Sequence, residues 1–108
     1  MGKEYLGELE ELILTMVGIL QDGAYGNAIV KEIKTQLNRE VSLAAAHVCL
    51  YRLEDKGYLK SRVGGATHSR GGRRKRIFIL TNAGLSVLRG MRENRMHLWE
   101  LFPKLKTT

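Results

Sequence analysis

The chain has 108 residues, 44% of them hydrophobic and 27% charged, the make-up of about one small globular domain that buries only part of its apolar surface. Its formal net charge is +7, no window has the apolar length of a membrane span, and the opening MGKEYLGELEEL is too acidic for a secretory signal, so the expected location is the cytoplasm. A lone cysteine, Cys49, excludes an internal disulfide or CxxC motif, and scattered His47, His68 and His97 lack metal-ligand spacing.

No nucleophile elbow, P-loop or dinucleotide fingerprint occurs, so neither an enzyme nor a cofactor is expected. Cys49 falls in a helix-like run and reads as a small buried hydrophobe.

Taken in order, residues 6–20 carry Leu9, Leu12, Ile13, Met16, Val17 and Leu20 at three-and-four spacing, one face of a helix. Glu8, Glu10 and Glu11 suit its first turn, where the helix dipole is positive. Gln21-Asp22-Gly23 is a turn signal. A second helix is predicted over 25–37, with Tyr25, Ile29, Ile33 and Leu37 inward, Lys31 and Lys34 outward, and Gly26 leaving room for another backbone.

A third helix is predicted over 42–57, with Ser42 as N-cap and Gly57 as its stop. Its helical period puts Leu43, Ala46, Leu50 and Leu53 on one face and Ala44, Ala45, Val48, Tyr51, Arg52 and Asp55 on the other. Near its start the outer face is small and nearly uncharged, where a solvated helix would carry Lys and Glu. Small side chains let a helix settle into a major groove, and Ala or Val can touch a thymine methyl. A short helix packed on both sides would give the same pattern.

Residues 58–76, YLKSRVGGATHSRGGRRKR, hold seven Lys or Arg and no acid, whereas the other 89 residues hold 11 basic and 11 acidic side chains. The positive charge is therefore local. Two strand-like runs, 58–63 and 76–80, flank a span with Gly64, Gly65, Gly71 and Gly72, which predicts a β-hairpin with a long tip. Phe78 and Leu80 are expected inward, and a basic finger of this kind can follow a phosphate backbone.

Thr81 has the chemistry to cap a fourth helix over 82–102, ended by Pro103. Leu85, Leu88, Met91, Met96, Leu98, Trp99 and Phe102 lie along one broad side, after the core already looks complete. A two-fold dimer would bury that side against its own copy, with Leu9 of the first helix joining in. Arg92 and Arg95 lie within the same side and would be costly in a dry seam, so they are expected at its rim or paired with Glu8, Glu10 or Glu11 of a second copy. Trp99 near such an axis can stack a planar aromatic small molecule, although a Trp in a helical stripe is more often packing.

Three helices, a hairpin and a helix make a mainly α fold with a small β-hairpin, the winged helix-turn-helix plus a C-terminal dimerisation helix. Over 6–102 the chain resembles the PadR-like family of bacterial transcriptional regulators. The resemblance is carried by Leu6-Gly7-Glu8, Ala24-Tyr25-Gly26, Arg52-Leu53-Glu54-Asp55-Lys56-Gly57, and Gly71-Gly72-Arg73-Arg74-Lys75-Arg76 running on to Leu80-Thr81. It implies a dimeric, usually repressing, DNA-binding protein whose C-terminal helix, and in many members the N-terminal one, makes the dimer. Some relatives respond to phenolic acids or flat drug-like compounds. The single C-terminal helix is similar to the compact branch of the family. Two departures stand out: His47 where the family commonly has tyrosine, and Ile77-Phe78 where it commonly has two tyrosines. His47 can still donate to a phosphate, and with a charge when protonated.

The expected division is a winged helix DNA-binding domain over 6–81, a dimerisation helix over 82–102 and a flexible tail over 103–108. Ala44, Ala45, Val48 and Tyr51 are assigned to base edges and Arg52 to a base or a phosphate. Tyr25, Ser42, His47, Lys60, Arg70, Arg73, Arg74 and Lys75 are assigned to the backbone. The partners are then double-stranded DNA with a palindromic operator, a second copy, and a planar aromatic effector. The alternative keeps the fold but docks it on RNA or an acidic protein. The tetrad 73–76 also matches nuclear-localisation and dibasic processing patterns, a match that is common by chance.

Overall fold

A computed structural model describes residues 5–64 and 74–104. Within them the order is α1 (Glu8–Leu20), a 3-10 turn (Gln21–Gly23), α2 (Gly26–Leu37), α3 (Leu43–Asp55), β1 (Leu59–Val63), β2 (Arg76–Leu80) and α4 (Asn82–Glu100).

α1 begins with its acids in the first turn, where the Glu10 carboxylate accepts the Gly7 N–H at 3.3 Å. It lies at the centre of the domain and packs on α2, α3, β2 and α4. That many-sided burial draws in Leu14 as well as Ile13, Met16 and Val17, so its apolar surface is wider than one stripe.

In α2, Ile29 and Ile33 are fully buried, but Leu37 is 54% exposed and so departs from the inward position expected of it. The helix ends there: Asn38 adopts a left-handed conformation (φ 52°, ψ 40°), and the chain turns away before Leu37 can meet the core.

α3 starts as its sequence implies, the Ala45 N–H donating to Ser42 Oγ at 3.0 Å. Gly57 ends it with φ 85°; its N–H donates to the Glu54 carbonyl at 2.9 Å and that of Tyr58 to Leu53 at 3.0 Å, a Schellman closure. Ala46, Cys49, Leu50 and Leu53 are buried. Leu43, expected among them, is 38% exposed, because the first turn of α3 overhangs the core and its side chain rests by Gly26.

β1 and β2 pair antiparallel from Leu59 opposite Leu80 to Val63 opposite Arg76. Phe78 is buried and Leu80 packs partly on the core, as alternation predicts. The Phe78 N–H also donates to the Ala24 carbonyl at 2.8 Å, so β2 is held from both sides. Thr81 joins the hairpin to α4: its Oγ1 accepts the Gly84 N–H at 3.1 Å and donates to the Gly57 carbonyl at 2.7 Å.

The first half of α4 completes the core, with Gly84 buried and Val87, Leu88 and Met91 packed on it. This corrects the expectation of a helix with nothing of its own to cover. From Arg92 onward every described residue is exposed. The helix stops at Glu100, short of the expected Phe102, since a residue before proline is pushed out of the α region.

Candidate nucleic-acid interface

α3 turns Ala44, Val48, Tyr51 and Arg52 to solvent, with Val48 51% and Tyr51 46% exposed, while Ala45 is half-buried against the core. Tyr51 is braced: its ring meets Phe78 edge-on at 5.9 Å and lies 6.1 Å from that of His47. Ser42 uses an oxygen lone pair as the cap acceptor, which leaves its O–H hydrogen to donate outward.

His47 is half-buried, and its imidazole lies over Gly26. A Cβ at residue 26 would fall 2.6 Å from His47 Nε2 and 3.0 Å from Leu43 Cδ1, so the glycine admits side chains of α3 and not the backbone expected from its sequence. Tyr25 sits at the N-terminus of α2 with the Lys75 ammonium 4.1 Å above its ring, a cation–π contact that ties the end of the hairpin to α2. Between them opens a concavity of about 270 Å³ lined by Tyr25, Gly26, Asn27, Leu43, His47, Arg74, Lys75 and Arg76. It contains three cationic side chains and no carboxylate, next to the exposed face of α3.

The structure thus brings together Tyr25, His47, Arg74 and Lys75 and adds Arg76, which had no assigned role. Lys60, with Arg62, stands on the hairpin face opposite Phe78, apart from this group. Arg70 and Arg73 lie outside the described residues. A second feature invisible in sequence is a relay across the hairpin: Arg76 Nη1 donates to Ser61 Oγ at 2.9 Å, and Ser61 Oγ donates to Glu54 Oε2 of α3 at 2.7 Å.

At the other end, Met96, Trp99 and Phe102 are exposed, as are Leu85 and Arg92, whereas Leu9, Leu88 and Met91 are half-buried on the chain's own core. Trp99, 67% exposed, makes an edge contact with Phe102 at 4.7 Å, and with Arg95, Leu98 and Leu101 they line a shallow apolar concavity. The acids expected to meet a second copy are engaged at home instead. Arg95 bonds Glu11 at 2.9 Å, Lys56 lies 3.3 Å from Glu10, and Arg39 grips Glu8 with both terminal nitrogens at 2.7 and 3.0 Å. They do so because the first turn of α1 lies within reach of the second half of α4 and of the ends of α2 and α3. The Arg39 hydrogen bonds hold the Glu8 carboxyl below its ordinary pKa.

Burial pushes the Cys49 thiol up, with Glu10 adding to the effect, in keeping with an unreactive packing residue. Among the described residues no group of His, Cys, Asp or Glu could hold a metal ion, and no helix is long and apolar enough to cross a membrane.

Solved structures share this architecture. A PadR family transcription regulator from hypervirulent Clostridium difficile R20291 is 25% identical, covering 88% of this chain and 94% of its own, with a TM-score of 0.72. A PadR family transcriptional regulator from Eggerthella lenta DSM 2243 is also 25% identical, over 86% of this chain and 80% of its own, at a TM-score of 0.66. The fold recurs in a transcriptional regulator from Clostridium thermocellum at 24% identity, 86% and 83% coverage and a TM-score of 0.67. No curated protein matches the sequence significantly. The model of the transcriptional regulator PadR-like family matches residues 14–90, and with its helices, hairpin and final helix in the order of these regulators, the chain belongs to that family.

Proposed function

We propose that the protein is a sequence-specific, duplex-DNA-binding repressor that works as a homodimer. The observation that carries this reading is the juxtaposition of two unlike surfaces: a nearly uncharged, small-residue face of α3, and an acid-free concavity holding Arg74, Lys75 and Arg76 beside it. Phosphate contacts supply attraction and register without reading sequence, and base edges supply the choice of site. Ala44, Val48 and Tyr51 face the bases in a major groove; Tyr25, Ser42, His47, Arg74 and Lys75 take the backbone. Arg52 reaches either. Half-buried Ala45 contributes its methyl only at the closest approach.

The bare end of α4 from Arg92, with Leu101 and Phe102 just beyond it, supplies the dimer seam, since one apolar patch meets its own copy about a two-fold axis. Two copies of α3 then meet a palindromic operator in the cytoplasm. The exposed Trp99 ring beside that axis is where a planar aromatic effector would stack and release the DNA.

Titration against duplex DNA and structured RNA over a range of salt tests the reading. Preference for duplex is expected, and Arg74→Ala lowers the salt slope by about 0.9 without changing the preferred sequence. Equal or tighter binding to RNA would favour an RNA-docking module, and an altered sequence preference for Arg74→Ala would mean that the hairpin reads bases.

A further inference from the structure

We infer that Arg76 is a further phosphate contact and Ser61 the residue that positions it, fixed in turn by Glu54; the inference rests on the DNA-binding reading above. Arg76 opens β2, is exposed, and lines the basic concavity. A long guanidinium side chain there would sample many rotamers, and ordering it on binding would weaken the complex. The Ser61 hydroxyl removes that freedom. The Glu54 carboxylate oxygens accept, so the single Ser61 hydrogen points to Glu54 Oε2 at 2.7 Å. The Ser61 lone pairs are thereby turned toward Arg76, whose Nη1 donates to them at 2.9 Å. The relay runs from the last turn of α3 to the first residue of β2, so the group that reads bases and a group that grips the backbone are referred to the same point.

The hydroxyl between the charges matters as much as the direction. Elsewhere in the described residues Lys34, Arg39, Lys56 and Arg95 touch carboxylates directly, and their charges are locally matched. The two cations with an identified hold beside the concavity have uncharged partners: Lys75 rests on the Tyr25 ring and Arg76 on the Ser61 hydroxyl. Arg76 is therefore oriented with its charge unmatched by a direct ion pair among the described residues, and four of its five N–H donors are left for a phosphate.

The test compares wild type, Ser61→Ala, Ser61→Thr, Arg76→Met and the Ser61→Ala/Arg76→Met double variant, each titrated with one preferred duplex across a salt series. Thermal melting of each confirms that it is folded. Arg76→Met should lower the salt slope by about 0.9, the signature of one lost phosphate contact. Ser61→Ala should keep the slope and weaken binding about 2- to 10-fold, the penalty for ordering one long side chain. Ser61→Thr, which keeps the hydroxyl, should restore wild-type affinity. In the Arg76→Met background Ser61→Ala should have no further effect.

An equal loss from Ser61→Ala in that background would mean that Ser61 serves only the hairpin's own structure, and an unchanged slope for Arg76→Met would mean that Arg76 touches no phosphate. Either overturns the inference and leaves the DNA reading standing. Wild-type protein that binds no duplex would contradict the DNA reading itself, and with it the inference, before any variant is compared.

Discussion

Gly84 should be the glycine of α4 that cannot be replaced, although general helix energetics argue the opposite. In an exposed helix interior Gly→Ala stabilises by about 1 kcal/mol, because alanine loses less backbone freedom on folding. At residue 84 a Cβ would land on the Tyr58 carbonyl oxygen, well inside van der Waals contact, and 2.8 Å from Leu80 Cδ1. The carbonyl cannot give way freely, since the Thr81 N–H donates to it at 3.1 Å. Overpacking costs about 1 to 3 kcal/mol, and a clash with a hydrogen-bonded backbone carbonyl belongs in the upper half of that range, about 2 to 3 kcal/mol, so after the helix gain of about 1 kcal/mol the net loss should be about 1 to 2 kcal/mol. For a domain near this size each kcal/mol moves the melting point by about 4 to 8 °C, which predicts a fall of about 4 to 16 °C. Thermal unfolding followed by circular dichroism, at one fixed protomer concentration, measures it. Gly90→Ala is the control on the same helix, because nothing lies within 4 Å of its Cβ, and it should hold or raise the melting point. A Gly84→Ala variant that melts at or above wild type would refute the packing of the start of α4 on the Tyr58 carbonyl and Leu80.

Three further outcomes are expected. Gly26→Ala should displace the His47 ring, the nearest of the side chains its Cβ would meet, and so weaken duplex binding with little loss of stability; unchanged affinity would remove His47 from the interface. Trp99→Ala should weaken dimerisation by about 30-fold or more in sedimentation equilibrium, the loss typical of a central aromatic in a seam; an unaltered dimer would place the seam elsewhere. Glu8→Gln should melt below wild type near neutral pH and match it in acid: the folded pKa lies below the ordinary 4.5, so the stabilisation is present above that value and fades as pH falls through the lowered one. A difference that persists in strong acid would contradict the Arg39 pairing.

The legible parts of the sequence were those whose chemistry is local. Ser42, Gly57 and Thr81 act on backbone groups within a few residues of themselves, so the ends of α3 and the start of α4 follow from residue type. Alternation put Phe78 inward for the same reason. Periodicity, by contrast, knows nothing of where a helix runs off its core, which is why Leu37 and Leu43 fit the stripe yet stand partly exposed. Contacts between distant positions were out of reach: His47 over Gly26 and Arg76 with Ser61 depend on how elements cross, and a pairing of Arg95 with the acids of α1 was expected toward a second copy, whereas Arg95 meets Glu11 within the chain. The position of α4 belongs with these, since Val87, Leu88 and Met91 complete a core that looked finished without them.

The central claim is that the neutral face of α3 chooses a site while the basic concavity beside it holds the backbone. Selection of bound sequences from a random duplex library by the purified protein tests this most directly. The account predicts enrichment of a two-fold symmetric site whose half-sites lie about one helical turn apart, with the preference abolished by Val48→Glu and retained by Arg74→Ala. Unenriched duplexes, or an enriched site that Val48→Glu selects equally well, would contradict it.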